Sequence, residues 1–194
     1  NLKDIFSVKD PRIVNCLHYA NYDAKRGFDL CSELSILMDC CGPHLGAIQL
    51  DMPWPEVAEL QKFKKRFESV DLILQVGPDA MYTKHEDPMQ IAHEVKHYVG
   101  LISHVLLDAS GGEGIPIDTS LIEGYIDSIG TVGCDVQFAV AGGLGPKTVG
   151  KVAGLVREYG VSIDAQTALT KTGKSGDLMD ITLTKLYVEY AYRL

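Results

Sequence analysis

The sequence lacks the long apolar run that a membrane-spanning helix requires. No stretch approaches about 18 consecutive apolar residues, and the first ten residues carry charges where a secretory signal peptide would be apolar. An excess of positive charge is also missing, because 18 basic side chains stand against 26 acidic ones and the net charge is −8 at pH 7. This balance opposes binding to nucleic-acid phosphates and to anionic lipid surfaces. We therefore expect a protein that binds neither nucleic acid nor membranes.

A disulfide framework and a cysteine metal knuckle are missing as well. The five cysteines are odd in number and unevenly spaced, and Cys40 and Cys41 are adjacent rather than separated as in CxxC. Free thiols suit a reducing compartment, so the cytoplasm is the expected location. No low-complexity linker and no second composition regime interrupts the sequence, which predicts a single domain over residues 1–194. The first residue is Asn1 rather than Met, so we expect further residues upstream.

Short apolar runs alternate with longer amphipathic segments from about residue 45 onward. Five runs are nearly apolar throughout, which is typical of strands that are buried on both faces: 45–50, 71–76, 104–108, 136–141 and 160–164. Residues 13–19 form a less regular sixth candidate. The alternation predicts parallel βα units of an α/β fold, either a TIM-type (β/α) barrel or a doubly wound sheet, with fewer strands than a closed barrel has.

The segments between these runs have the periodicity of helices. Apolar residues recur every three or four positions after Pro55, after the Asp87–Pro88 pair, after Pro146 and over residues 31–41. Gly160 stands where the helix after Pro146 should end. A last helix is predicted to begin near Asp177, with Met179 on its apolar stripe.

The first candidate for chemistry is an apolar strand that ends in a carboxylate and is followed by glycines. The sequence HVLLDASGGEG spans residues 104–114, and Asp108 lies at the predicted carboxyl end of the strand. Catalytic groups of parallel α/β folds lie at this end. The local sequence leaves open the alternative that Asp108 only caps a loop.

The second candidate is a pair of neighbouring loops rich in small residues. Residues 140–145, VAGGLG, contain a glycine pair that would let backbone N–H groups approach a phosphate. Residues 162–169, SIDAQTAL, supply the end of the next strand, and β/α barrels typically share a phosphate between the loops after their last two strands. A glycine pair also occurs in tight turns without a ligand, and this alternative stays open.

Four segments, in this order, resemble motifs of the phosphoribosylanthranilate isomerase family. They are AIQLD at 47–51, LLDASGGEG at 106–114, AVAGGLGPKTV at 139–149 and GVSIDAQTALTKTGKSGD at 160–177. The resemblance covers roughly residues 45–180 and is most specific at AGGLGPKTV. It implies a ribulose-phosphate-binding β/α barrel that carries out an Amadori-type isomerisation of a phosphoribosyl amine in tryptophan biosynthesis. It implies no cofactor, and it leaves a homo-oligomer open.

The resemblance also assigns roles to individual residues. It implies that Asp108 is the general acid and that Gln49, Gly111 and Gly112 contact the substrate. The implied phosphate-binding residues are Gly142, Gly143, Gln166, Thr167 and Ala168.

Two functional residues of the family have no match in this sequence. The first strand of the family carries KxCG, whose cysteine is the general base, whereas Cys16 is neither preceded by Lys nor followed by Gly. The arginine that holds the anthranilate carboxylate has only Arg12 as a loose candidate. Three hypotheses therefore remain: an isomerase whose first βα units lie upstream of Asn1, a related barrel enzyme acting on another phosphosugar, and a non-catalytic phosphate-binding relative.

A different function is suggested by HEVKH at residues 93–97. On a helix, His93 and His97 could bind zinc while Glu94 acts as a base, as in a metalloprotease. The predicted helix, however, would turn this face to solvent, away from the carboxyl ends of the strands. We therefore expect a solvated helix face and no metal site.

Overall fold

Strands and helices alternate along the chain in the computed structural model, which describes residues 2–23, 28–110, 115–174 and 176–194. The strands in these residues are β1 (Asn15–Ala20), β2 (Leu45–Asp51), β3 (Asp71–Val76), β4 (His104–Asp108), β5 (Gln137–Ala141) and β6 (Ser162–Ile163). The α-helices are α1 (Leu2–Ile5), α2 (Leu30–Cys41), α3 (Val57–Arg66), α4 (Pro78–Thr83), α5 (Pro88–Val95), α6 (Thr119–Thr131), α7 (Ala153–Tyr159) and α8 (Ile181–Ala191). Short 3₁₀ helices lie at Lys96–Tyr98, Val149–Val152 and Thr167–Leu169. None of the described helices is long and apolar enough to cross a membrane.

The strands form one parallel sheet in chain order, from β1 at one edge to β6 at the other. At least one helix lies between each pair of consecutive strands, as a crossover between parallel strands requires. The sheet curls so far that His18 of β1 and Asp164, directly after β6, line the same cavity. In the described residues β1 pairs only with β2 and β6 only with β5, so the curled sheet is a partial TIM-type barrel. The predicted β/α-barrel fold is therefore confirmed.

The two faces of the sheet differ in polarity. Because the strands pair in parallel register, residues that are neighbours across the sheet share a face, and successive residues of a strand alternate between faces. The helix-covered face is apolar, with these members fully buried: Ile48, Leu50, Leu72, Leu74, Val76, Val105, Leu107 and Val140. The opposite, inner face carries these polar side chains: Cys16, His18, Gln49, Asp51, Asp71, Gln75, His104, Asp108, Gln137 and Ser162.

The expectation of strands that are apolar on both faces is therefore wrong for the inner face. A parallel sheet with two apolar faces must be covered on both sides. Here the inner face is mixed, since His18 at the β1 edge is exposed whereas Gln75 and Asp108 are buried. Polar side chains can lie on this face because they stay hydrated or bond to one another.

Aspartate side chains fix where the helices begin. The side chains that accept N–H bonds from a first helical turn are Asp29 for α2, Asp87 for α5, Asp118 for α6 and Asp180 for α8. The last helix therefore starts at Ile181, later than the predicted start near Asp177. Met179 lies before this helix and forms an isolated bridge with Thr170, so its predicted place on the helical stripe is wrong. Gly160 ends α7 in the left-handed conformation, as predicted.

Truncating a buried side chain of the helix-covered face should destabilise the fold. Leu74 is fully buried on this face, so Leu74→Ala should lower the free energy of unfolding by about 2–5 kcal/mol. Ile36 of α2 is 62% exposed, and Ile36→Ala should change the free energy by no more than about 0.5 kcal/mol. Urea unfolding followed by circular dichroism measures both values. Equal losses in the two variants would contradict the assignment of this face as the core.

Candidate functional site

Polar side chains from several strands meet at the carboxyl end of the sheet. They line a cavity of about 290 Å³, the inner cavity, together with the loops after β5 and β6. The strand-borne residues and their immediate neighbours in this lining are His18, Gln49, Asp51, Gln75, Asp108, Ser110 and Asp164. The loop residues are Gly142, Gly143, Leu144, Gln166, Thr167 and Ala168. The curled sheet thus brings together Asp108, Gln49 and all five residues of the predicted phosphate site.

Asp108 is held in a fixed position at the floor of the inner cavity. Its Oδ1 accepts hydrogen bonds from the backbone N–H of Ser110 at 2.9 Å and from the Ser110 hydroxyl at 2.7 Å. The Gln75 amide donates to Oδ2 at 3.5 Å and accepts from Gln49 Nε2 at 2.7 Å. Asp108 therefore caps the turn after β4 and also lines the cavity. Its position agrees both with a loop cap and with a group at the catalytic end of the sheet. Its role as an acid stays a prediction.

A histidine and a carboxylate form a second polar group, which the sequence analysis missed. His18 Nε2 lies 3.1 Å from Asp51 Oδ2, and the Tyr22 hydroxyl donates to the same oxygen. The bond to Asp51 raises the pKa of His18, and the nearby charges of Asp164 and Asp108 raise it further. Partial burial of the ring opposes these effects but does not outweigh them. Burial alone would raise the pKa of Asp51, but the bonds from His18 and Tyr22 outweigh it and lower the pKa overall. Both shifts have the same cause: the bond between His18 and Asp51 favours the charged form of each partner over that of the isolated side chain.

A third carboxyl group, Asp164, directly follows β6 and also lines the inner cavity. Desolvation in the cavity wall raises its pKa, and the Asp108 charge raises it further, while His18 opposes the shift. A sequence pattern for Asp51 and Asp164 was available, because each directly follows an apolar run, as Asp108 does. His18 offered no such pattern, since only the register of β1 shows that it faces inward.

The loops after β5 and β6 approach each other closely. Gly142 and Gly143 both have positive φ angles, 131° and 56°, a conformation that favours glycine. A Cβ atom on Gly145 would lie 2.8 Å from the Ala168 Cβ, so the absence of a side chain there permits the contact. Within the described residues no hydrogen bond uses the backbone N–H of Gly143 or Ala168. These donors are therefore available to an anion between the loops.

A second cavity adjoins the first at the rim of the sheet. This rim cavity measures about 480 Å³ and shares Tyr22, Asp51, Gln75 and Ser110 with the inner cavity. Its other lining residues are largely apolar: Met52, Pro53, Gly77, Pro78, Asp79, Ala80, Ala109 and Ile115. The two cavities together offer a polar compartment beside a more apolar one.

Arg12, the loose candidate for the carboxylate-binding arginine, lies away from the inner cavity. Arg12 binds Asp10 through two nitrogen atoms at the surface and does not line either cavity. The described lining of both cavities contains no Lys or Arg. Gly111 and Gly112 lie outside the described residues.

The HEVKH segment does not form a continuous α-helix. Helix α5 ends at Val95, so His97 lies in the following 3₁₀ helix, and Glu94 forms an ion pair with Lys84 at 2.6 Å. Over the described ranges, no three His, Cys, Asp or Glu side chains are grouped so that they could hold a metal ion. The segment thus lacks the geometry that the metalloprotease alternative needs.

Comparisons with known proteins bear on the fold. No family model matches the chain, and no curated protein sequence does. A phosphoribosylanthranilate isomerase from Thermus thermophilus is similar in structure, with a TM-score of 0.64, 16% sequence identity, and coverage of 100% of this chain and 80% of that chain. The isomerase from Thermotoga maritima has a TM-score of 0.66, 20% identity, and coverage of 100% and 80%.

A third similar structure is a phosphoribosylanthranilate isomerase in complex with reduced 1-(o-carboxyphenylamino)-1-deoxyribulose 5-phosphate. Its TM-score is 0.63 and its identity 19%, and the match covers 100% of this chain and 78% of that chain. Identities this low establish the fold and not the reaction. The chain is therefore similar in fold, over its whole length, to phosphoribosylanthranilate isomerases.

Proposed function

We propose that this chain isomerises a phosphoribosyl derivative of an aromatic amine in the inner cavity, the Amadori-type step of tryptophan biosynthesis. The observation that carries the proposal is that acid–base side chains and two amide-bearing loops line one cavity. The fold around this cavity is one that phosphoribosylanthranilate isomerases share. The loops would hold the phosphate and the carboxyl groups would handle protons.

The phosphate would bind between the loops after β5 and β6. The backbone N–H groups of Gly143 and Ala168 are free of other bonds in the described residues, and Gly145 lets the loops approach. Because the described lining has no Lys or Arg, the anion would be held by backbone dipoles rather than by side-chain charges. Such a site holds one phosphate group by shape as much as by charge.

The aromatic end of the substrate would lie in the rim cavity. This compartment has the apolar lining that an aryl ring needs, and it meets the inner cavity at Tyr22, Asp51, Gln75 and Ser110. A molecule that spans the two cavities would place its sugar at this shared boundary. The ligand of one similar isomerase has a phosphate at one end and a carboxyphenyl group at the other.

Asp108 would act as the general acid on the sugar. In the first step an acid protonates the ring oxygen while the bond from this oxygen to C1′ breaks, which gives an open-chain iminium ion. Ser110 and Gln75 fix the Asp108 carboxyl group at the cavity floor, so the proton would be delivered from a defined position. Removal of the proton from C2′ and protonation at C1′ then complete the rearrangement to the ketose.

Separating the two loops should weaken phosphate binding. In Gly145→Ala the new Cβ meets the Ala168 Cβ, so the loops must move apart. We expect the dissociation constant of reduced 1-(o-carboxyphenylamino)-1-deoxyribulose 5-phosphate, measured by calorimetry, to rise about tenfold or more, which is about 1.4 kcal/mol. Gly154→Ala in α7 is the matched control, because its Cβ would contact nothing within 4 Å, and it should bind as the wild type does.

Wild-type protein that binds the dephosphorylated compound equally well would contradict the phosphate site. The same contradiction follows if the two glycine variants bind the phosphorylated compound equally.

Replacing the proposed acid should abolish most turnover of phosphoribosylanthranilate. Asp108→Asn keeps an oxygen that can accept from Ser110 but removes the proton donor, so kcat should fall by about 10² to 10⁴ while the melting temperature stays close to the wild-type value. If Asp108 only caps the turn, the variant should lose up to about 1 kcal/mol of stability and keep its activity. Asp164→Asn is the comparison variant, and a larger loss there than in Asp108→Asn would assign the acid to Asp164 instead.

If the wild-type protein shows no turnover, the result favours one of two other hypotheses: an enzyme that acts on another phosphosugar, or a non-catalytic phosphate-binding relative. Binding of the reduced analogue separates these outcomes, because a non-catalytic phosphate-binding relative still binds it.

A further inference from the structure

The isomerisation also needs a base, and the inner face of β1 offers one. We propose that His18 is the general base that removes the C2′ proton, with Asp51 as the residue that positions it. This inference rests on the proposed function, since it concerns the same substrate in the same cavity.

The hydrogen bonds around Asp51 fix which nitrogen of His18 is available. An ionised carboxylate can only accept, so the bond between Asp51 Oδ2 and His18 Nε2, at 3.1 Å, requires the proton to be on Nε2. In the neutral ring Nδ1 is then the unprotonated nitrogen, and in the described residues no hydrogen bond engages it. His18 therefore has a free lone pair on a ring that lines the cavity.

Asp51 is well suited to hold the ring. Its side chain is only 12% exposed, against 46% for His18, and the Tyr22 hydroxyl donates to the same Oδ2. Asp51 is the register partner of Ala20, two residues after His18, so its carboxylate reaches the imidazole diagonally from the paired strand β2 rather than from a loop. A catalytic base held between two paired strands loses little entropy when the substrate binds.

The charges around His18 make the ring a stronger base. Asp51 from β2, Asp108 from β4 and Asp164 after β6 all raise the pKa of His18, and partial burial lowers it. A general base is most effective when its pKa lies near the operating pH. The three carboxyl groups and the Tyr22 hydroxyl are the titratable groups that face this cavity from the described elements.

Cys16 is the rival base on the same strand, since the resemblance assigns a cysteine to this role. It faces inward like His18 but lies two residues earlier, does not line the inner cavity, and its thiol faces the Leu17 carbonyl at 3.9 Å. Burial raises the pKa of the Cys16 thiol, which disfavours the thiolate that would act as a base. The geometry thus favours His18.

The proton balance of the step is complete without a further reactant. Nδ1 of His18 takes the proton from C2′ of the iminium ion, and the electron pair of the C–H bond forms the C1′–C2′ double bond while the iminium nitrogen becomes an amine. The resulting enol loses its hydroxyl proton and gains a proton at C1′, which yields the ketone. His18 delivers its proton to C1′ and the enol hydroxyl proton passes to the Asp108 carboxylate, so both groups return to their starting protonation states.

The test compares His18→Asn, Asp51→Asn and Cys16→Ser with the wild type in turnover of phosphoribosylanthranilate. We expect kcat to fall by about 10² to 10⁴ in His18→Asn and to stay near the wild-type value in Cys16→Ser. Calorimetry with the reduced analogue should show that His18→Asn still binds it, which demonstrates a folded site.

Asp51→Asn tests positioning through the pH profile of kcat/KM. His18 acts unprotonated, so activity falls as the pH drops through its pKa, and the Asp51 charge raises this pKa. Removing the charge should therefore move the acid limb of the profile to lower pH, whereas a structural role would lower activity without moving it.

The outcomes separate the inference from the function on which it rests. Suppose that the wild type turns over phosphoribosylanthranilate. An active His18→Asn variant, or an inactive Cys16→Ser variant, then overturns the assignment of His18 and leaves the proposed function intact. An acid limb that does not move in Asp51→Asn overturns the positioning role. If the wild type binds the reduced analogue but does not turn over phosphoribosylanthranilate, both proposals are overturned.

Discussion

The site depends on one constraint, the parallel register of a sheet that is covered by helices on only one side. Register forces every second residue of each strand onto the inner face, where His18 is exposed and the buried Gln75 and Asp108 are hydrogen-bonded to each other. Polar side chains are tolerated there for this reason. The helix-covered face, where Leu74 and Leu107 are fully buried, supplies the apolar burial that stabilises the sheet.

The same register explains why titratable groups from distant parts of the sequence meet. Asp51 and Asp108 end β2 and β4, and Asp164 follows β6, so all three lie at one end of the curled sheet. Three carboxyl groups close together repel one another when ionised. The structure relieves this repulsion by pairing Asp51 with His18 and by a raised pKa at Asp164. Different environments for similar carboxyl groups are what acid–base chemistry requires.

Much of this arrangement could be predicted from the sequence, and the remainder could not for physical reasons. The apolar runs located β2 to β6 within a few residues, because burial of one face requires Leu, Ile and Val there. The motifs around Asp108 and Gly142 pointed to the carboxyl ends of strands, and these residues line one cavity. The polarity of the inner face was missed because a run such as LGAIQLD contains few polar residues, and only pairing shows that they align across strands. His18 was missed because β1 is an edge strand in which only Tyr19 is buried, so its apolar pattern is weak.

The central claim is that the two cavities together hold one phosphosugar derivative with its reacting carbon next to His18. A crystal structure of this chain with reduced 1-(o-carboxyphenylamino)-1-deoxyribulose 5-phosphate tests the claim most directly. The account predicts the phosphate between the loops of Gly143 and Ala168, the aryl ring in the rim cavity, and C2′ within about 3–3.5 Å of His18 Nδ1. A phosphate bound elsewhere, or a sugar that turns C2′ away from His18, would contradict it.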